Sequence, residues 1–339
     1  MSTLNKKNKN FWLSLRKPIL ALAPMAGITD SAFRQLCKKH GTDVVYTEMI
    51  SADGLHFNSK KTLELLKFSK IEQPIVVQLF GKDPEKFIKA TKIVSKLGFD
   101  GIDINFGCPA KKVVGHGGGV TLMRDLNLCY QIIKNVCEHT PLPVSIKIRT
   151  SINLRTEELK NQKTEELKNR RTEVTALDFV KKIKDLPITA IMIHGRSYEE
   201  KFSGEIDYEM IKKAKESFNG IILANGNITN PEIAQKTLEL TQADGLGLAR
   251  GLYGHPWLFQ QIKDYLKTNK YKEKTWSQIK QIALEHAKLN YKAKGAHGII
   301  EMRKHLLFYA KGHSQAKKMR KELVRVENID QIKKVFQKY

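Results

Sequence analysis

The sequence predicts an α/β protein, a (β/α)₈ TIM barrel followed by a C-terminal helical domain, and three observations carry that expectation. From Ile19 onward, short apolar runs alternate with amphipathic stretches of helical length. Eight of these runs read as strands, at 19–24, 44–48, 74–80, 101–107, 143–149, 190–195, 220–226 and 245–250. After His255-Pro256-Trp257 strand-like runs stop, and Lys and Arg recur beside apolar positions at helical spacing, as around Ile299, Met302, Leu306 and Tyr309. Eight strand-then-helix repeats favour a closed barrel over an open doubly wound sheet, which usually has fewer strands and a reversal of order.

Taken in order, the elements fit within 339 residues, enough for one barrel-sized domain and a smaller one. The clearest helices fall at 84–97, 176–186, 207–218 and 231–240. Asp83 before Pro84 and Asn230 before Pro231 each place a capping side chain ahead of a first-turn proline. The six residues Thr-Glu-Glu-Leu-Lys-Asn occur at 156–161 and again at 164–169. A period that short and that charged reads as a surface insertion after the fifth strand, within 156–173, and not as a repeat architecture. The expected division is a barrel over 1–266, a linker over 267–275 and a helical domain over 276–339.

Composition narrows the class. With 41% hydrophobic and 28% charged residues the chain reads as an ordinary globular protein. Its 59 Lys and Arg against 35 Asp and Glu give a net charge of +24, which attracts polyanions, nucleic acid first and an anionic membrane surface second. The plainer alternative is a lysine-rich surface that serves solubility. No apolar run approaches the 18 or so residues of a membrane span, and the polar opening 1–10 lacks the apolar segment of a signal peptide, so a cytoplasmic protein is expected. The four cysteines show no paired C-x-x-C spacing, so neither a metal site nor a disulfide framework is expected. Cys37, Cys129 and Cys137 fall in helical patterns and read as packing residues.

Cys108 is different. The stretch Gly-Ile-Asp-Ile-Asn-Phe-Gly-Cys-Pro, 101–109, reads as a strand running into a turn that presents the thiol at a strand's C-terminal mouth, where such barrels keep their chemistry. It is a candidate acid or nucleophile, against the alternative of a small buried apolar residue. Met25, Glu48, Gln78, Asn105, Lys147, His194, Asn225 and Arg250 occupy equivalent strand ends. Each alone reads as a satisfied rim group, whereas eight together point to a site. Ala224-Asn225-Gly226-Asn227-Ile228 and the run 245–251 with Gly247, Ala249 and Arg250 place backbone amides and a guanidinium where barrels often hold a phosphate. The run Gly115-His116-Gly117-Gly118-Gly119 matches neither a P-loop nor a dinucleotide fingerprint and reads as a flexible loop beyond Cys108.

Several of these segments together resemble the tRNA-dihydrouridine synthases. They are Leu22-Ala23-Pro24-Met25-Ala26-Gly27-Ile28-Thr29-Asp30, Val76-Val77-Gln78-Leu79, Asp103 to Val113, Lys147-Ile148-Arg149, His194-Gly195-Arg196 and Ala224-Asn225-Gly226. The Cys-Pro-Ala-Lys-Lys-Val wording and the helical tail are most similar to the B-type bacterial subgroup. The resemblance implies an enzyme that reduces the C5=C6 bond of uridines in tRNA with FMN, charged by NADPH. Cys108 would protonate C5. Lys147 would sit at the flavin N1/O2 edge, Gln78 would hydrogen-bond the ring, and Pro24, Met25 and Ala26 would line it. His194, Asn225, Gly226, Gly247, Ala249 and Arg250 would lie near the phosphate, Asn105 would meet the base, and Arg303 would meet tRNA.

Two departures stand out. The family often has Ile-Gly-Arg where this chain has Leu248-Ala249-Arg250, and Gly-Asp-Ile where it has Gly226-Asn227-Ile228. Glu48 matches a strand-two position whose role, base contact or brace, is open. An FMN barrel acting on a free small molecule would explain Lys147 and the phosphate features but not the charge or the basic tail. A non-catalytic RNA-binding scaffold would not explain Cys108, Lys147 and Arg250 together.

Overall fold

The computed structural model describes residues 10–154 and 172–339. Its centre is a closed parallel barrel built from β1 (Ile19–Leu22), β2 (Val44–Ser51), β3 (Ile75–Phe80), β4 (Gly101–Asn105) and β5 (Val144–Arg149). After a short two-stranded sheet of β6 (Ser151–Asn153) and β7 (Glu173–Thr175), it is completed by β8 (Ile188–His194), β9 (Ile221–Asn225) and β10 (Gly245–Leu248). All eight expected strands are barrel strands, and β1 pairs with β2 on one side and β10 on the other.

These strands read as apolar runs because both faces of a parallel barrel are buried. Leu22, Val77, Ile104, Ile146 and Ile193 point outward under the helices, while Ile19, Ala21, Tyr46, Val76, Met192 and Leu223 fill the interior with Trp12, which closes the end away from the site. The expected caps are present: the Asp83 carboxylate accepts from Glu85 N and Lys86 N, and the Asn230 side chain accepts from Ile233 N.

Three expectations change. First, β2 continues to Ser51, with a register shift against β3 between Tyr46 and Met49. Such a bulge re-aims the side chains beyond it, and Met49, not Glu48, lines the mouth. Glu48 instead accepts a hydrogen bond from the Gly27 backbone N–H. Second, the glycine run is not all loop. It spans the end of the helix Lys111–Gly115 and the start of the 3₁₀ helix Gly119–Arg124. A Cβ on Gly119, at φ +63°, would sit 2.6 Å from the Cys108 carbonyl. Third, Lys267 and Thr268 belong to the helix Leu258–Thr268, so the connection to the tail is 269–275. The repeats at 156–161 and 164–169 lie outside the described residues.

The tail consists of the helices Trp276–Lys294, Ala296–Tyr309, Ala316–Leu323 and Ile329–Lys338. They share a core of Ile299, Met302, Leu306, Met319, Leu323, Ile332 and Phe336 that also takes in Leu36 and Trp257 from the barrel. His286 and His305 pack on Phe33, and Lys294 pairs with Asp30 at 2.7 Å, so the tail is docked on the helix Ser31–Lys39. Arg34 of that helix forms a buried pair with Glu72, Nε to Oε2 at 2.6 Å. Arg34 also donates to the carbonyls of Thr29 and Lys67, and Glu72 accepts from Ser31 Oγ and Ser69 N. Among the described residues, no helix is long and apolar enough to cross a membrane.

Candidate active site

A cavity of about 590 Å³ opens at the C-terminal ends of the barrel strands, within the size range of cofactor pockets. Pro24, Met25, Ala26, Gln78, Asn105, Cys108, Lys147, His194, Asn225, Gly226, Gly247, Ala249 and Arg250 all line it. Arg303 does not; its guanidinium donates to the carbonyls of Val326 at 2.8 Å and Arg325 at 3.4 Å within the tail.

Cys108 sits on the turn that leaves β4. Asn105 Oδ1 accepts from Gly107 N at 3.1 Å and Cys108 N at 2.9 Å, Arg149 Nε donates to the Gly107 carbonyl at 3.0 Å, and Val120 N donates to the Cys108 carbonyl at 3.2 Å. Burial raises the thiol pKa, against the opposing pull of the Ala110 N–H and the charges of Arg149 and Lys147. The sulfur therefore keeps its proton at neutral pH, the state an acid needs. The other three cysteines lie in helices, as expected. Burial pushes the Cys137 thiol up to about 12, and Cys129 gives its S–H to the Leu122 carbonyl.

Lys147 Nζ donates to Asn225 Oδ1 at 2.9 Å. The Asn225 amide is turned that way because its Nδ2 donates to the Gly247 carbonyl at 2.6 Å. Burial, and then the Arg149 charge, lower Lys147 to about 7, so an anionic group placed beside it would restore its proton. This has a consequence for stability. Between about 7 and the ordinary lysine value the unfolded chain binds a proton that the folded chain does not, so this group's contribution to stability increases as pH rises through that window. In flavin-free protein, Lys147→Met is accordingly expected to raise the melting temperature most below pH 7, with the difference from the parent shrinking toward pH 10. Thermal melts across pH measure it, and a difference independent of pH would contradict it.

The far side of the cavity is cationic. Arg250 lies 4.6 Å from the Phe202 ring, and Arg149 reaches the same ring at 5.5 Å. Arg196 is buried, with Nη1 lacking a hydrogen-bond partner. Burial and the charges of Lys147, Arg149, Arg196 and Arg250 lower His194 to about 2, so it is a neutral ring. The glycines here leave no room for a side chain: a Cβ on Gly226, at φ +135°, would lie 2.7 Å from Ile206 Cδ1, and one on Gly247 would lie 2.7 Å from Met192 Sδ. A cationic end lined by Arg250, with bare backbone at Gly226 and Gly247 beside a pocket of mixed polarity, fits a phosphate-bearing flavin. Among the described residues, no group of His, Cys, Asp and Glu is arranged to hold a metal ion.

Met49, Phe202 and Tyr253 also line the cavity and were not anticipated. Phe202 carried one weak signal, an aromatic residue in a connection rich in charge; Met49 carried none until the bulge was seen.

A family model described as dihydrouridine synthase matches residues 21–338. The chain belongs to the dihydrouridine synthase family. It is 34% identical over 313 residues to tRNA-dihydrouridine synthase B of Pseudomonas aeruginosa, covering 92% of this chain and 89% of that protein. To a probable tRNA-dihydrouridine synthase of Rickettsia bellii it is 36% identical over 299 residues, covering 86% of each. Among solved structures, histamine dehydrogenase from Rhizobium sp. 4-9 shares the barrel fold at a TM-score of 0.54 and 11% identity, covering 84% of this chain and 51% of that one. As a dihydrouridine synthase, the chain is a flavin-dependent oxidoreductase.

Proposed function

We propose that this dihydrouridine synthase reduces the C5=C6 bond of uridines in tRNA, using FMN and NADPH, with Cys108 as the proton donor. The observation that carries the reading is that the Cys108 thiol, Lys147 and Arg250 all face one cavity at the barrel mouth. When bound, FMN would supply the hydride for this reduction. Arg250 and the backbone around Gly226, Gly247 and Ala249 would hold its phosphate, and Pro24, Met25, Ala26 and Gln78 would line its ring. Lys147, regaining its proton beside the ring's N1/O2 edge, would stabilise negative charge there. Cys108 holds a proton on a turn that fixes its direction, ready for C5. Asn105 lies three residues away on the same turn, where it would meet the base.

A uridine stacked in folded tRNA cannot reach the floor of such a pocket, so it must be extruded while the surrounding phosphates are held. The net charge of +24 suits that task, and Arg303 in the docked tail would contribute to it. A tRNA substrate places the protein in the cytoplasm. Purified protein should be yellow and should form dihydrouridine on unmodified tRNA with NADPH. Turnover of free uridine or orotate, with none on tRNA, would overturn the reading. Arg250→Ala should weaken FMN retention by about tenfold or more, the usual effect of losing a charged hydrogen bond; flavin fluorescence titration measures it, and unchanged affinity would place the phosphate elsewhere.

A further inference from the structure

Asp103 is a fully buried carboxylate in the barrel interior that has no part in the reaction proposed above. One of its oxygens accepts from Gln78 Nε2 at 2.8 Å and the other from Ser145 Oγ at 2.6 Å. Gln78 Oε1 in turn accepts from Asn105 Nδ2 at 2.8 Å. Asn105 Oδ1 then accepts from the backbone N–H groups of Gly107 and Cys108. The chain crosses strands because Gln78 of β3 is in register with Asp103 of β4, and Asn105 lies two residues further along the same face.

An amide side chain can be turned end for end with little change of shape, so Gln78 and Asn105 do not set the direction themselves. The ends of the chain do. The turn at Gly107 and Cys108 offers only donors, so Asn105 must face it with oxygen and face Gln78 with nitrogen. Gln78 must then face residue 103 with nitrogen, and only an acceptor there is compatible. Burial raises the Asp103 carboxyl to about 6, which leaves it ionised, and acceptor-only, at neutral pH.

We propose that Asp103 is a positioning residue, the terminal acceptor that fixes the direction of the Gln78 and Asn105 amides and through them the Cys108 turn. Asn105 keeps a second N–H and lines the cavity where the base would enter, while Gln78 lines the part given above to the flavin ring. The Asn105 N–H suits a ring edge carrying carbonyl oxygens, as uracil does, and opposes an exocyclic amine, as on cytosine. This last consequence rests on the uridine substrate proposed above.

The test compares Asp103→Leu, which removes the acceptor while keeping the branching at Cγ, with Asp103→Asn, whose carbonyl still accepts from Gln78. Asp103→Leu should lower kcat on tRNA about tenfold, as expected for a misplaced reacting group, with KM for tRNA little changed. Asp103→Asn should restore most of the loss. Alkylation of Cys108 by iodoacetamide without tRNA, followed by mass spectrometry of its peptide, should be faster in Asp103→Leu and near the parent rate in Asp103→Asn. Combined with Asn105→Ala, Asp103→Leu should add little, because both act through one contact. Should Asp103→Leu fail to fold, Asn105→Asp serves instead. It keeps the acceptor for the turn but sets an oxygen against Gln78 Oε1, and should lower kcat similarly. Equal impairment by Leu and Asn at 103, additive losses with Asn105→Ala, or parent-like kcat and alkylation in Asp103→Leu or Asn105→Asp would each overturn the proposal. A parent enzyme that forms no dihydrouridine would overturn the uridine reading instead, and the alkylation comparison would still decide the role of Asp103.

Discussion

Replacing Cys108 with alanine is expected to leave a folded, flavin-retaining protein whose dihydrouridine formation falls by about 10²–10⁴-fold, the usual contribution of a positioned acid. The fold should survive because the turn is held by backbone groups that alanine keeps: the N–H at 108 to Asn105 Oδ1 and the carbonyl at 108 to Val120 N. Single-turnover reduction with enzyme in excess over tRNA isolates the step, and an unimpaired rate there would mean that another group is the acid. The pH dependence has a definite sign. Burial holds the thiol above its ordinary value, so the acid form is full at neutral pH and the rate should decline only as pH rises past that raised value. A rate that stays level at high pH would argue against the thiol as the acid.

Glu72→Ala should destabilise the protein by about 3–5 kcal/mol, the range for removing one partner of a buried ion pair. Both side chains are almost wholly out of solvent, at 2% and 0% exposure, and the carboxylate holds Ser31 Oγ and Ser69 N as well as the guanidinium. Removing Glu72 leaves a charged Arg34 facing the carbonyls of Thr29 and Lys67 without its counter-ion. The double change Arg34→Leu, Glu72→Leu should recover much of the loss, because apolar replacement of both partners avoids the stranded charge. Urea denaturation of the parent and the two variants measures this, and a Glu72→Ala protein as stable as the parent would show that the pair is not the fastening it looks to be. The effect should reach the site, since the Thr29 hydroxyl and backbone hold Met25, which lines the cavity.

The barrel was legible in the sequence because the strands are buried on both faces and most read as largely apolar runs; Ile19 to Leu22 and Ile221 to Ala224 carry that signal without help from their neighbours. Strand ends were legible too, since most polar residues there face the mouth, as Gln78, Asn105 and Lys147 do. What the sequence left open depends on geometry between strands. Glu48 and Met49 exchange places through a bulge that no residue of β2 announces. Asn105 could be seen as a mouth residue, but the direction of its amide depends on Gln78 and Asp103 across two strands. β6 and β7 are three residues each, Ser-Ile-Asn and Glu-Val-Thr, too short to stand out beside a charged repeat. Docking of the tail rests on Leu36 and Phe33, whose helix shows an apolar face but not what covers it.

The β6 and β7 pair has a practical consequence. Ser151 faces Thr175 and Asn153 faces Glu173, and Leu154 N donates to the Thr172 carbonyl at 2.8 Å, so the chain leaves the barrel rim and returns to it through one antiparallel clasp. Residues 154 and 172 are thereby fixed side by side, and the length of a connection adds little to the entropy of closing such a gap. The clasp is therefore a natural splice point: a shorter turn, an affinity tag or a fluorescent peptide could be exchanged there with β5 and β8 left in register.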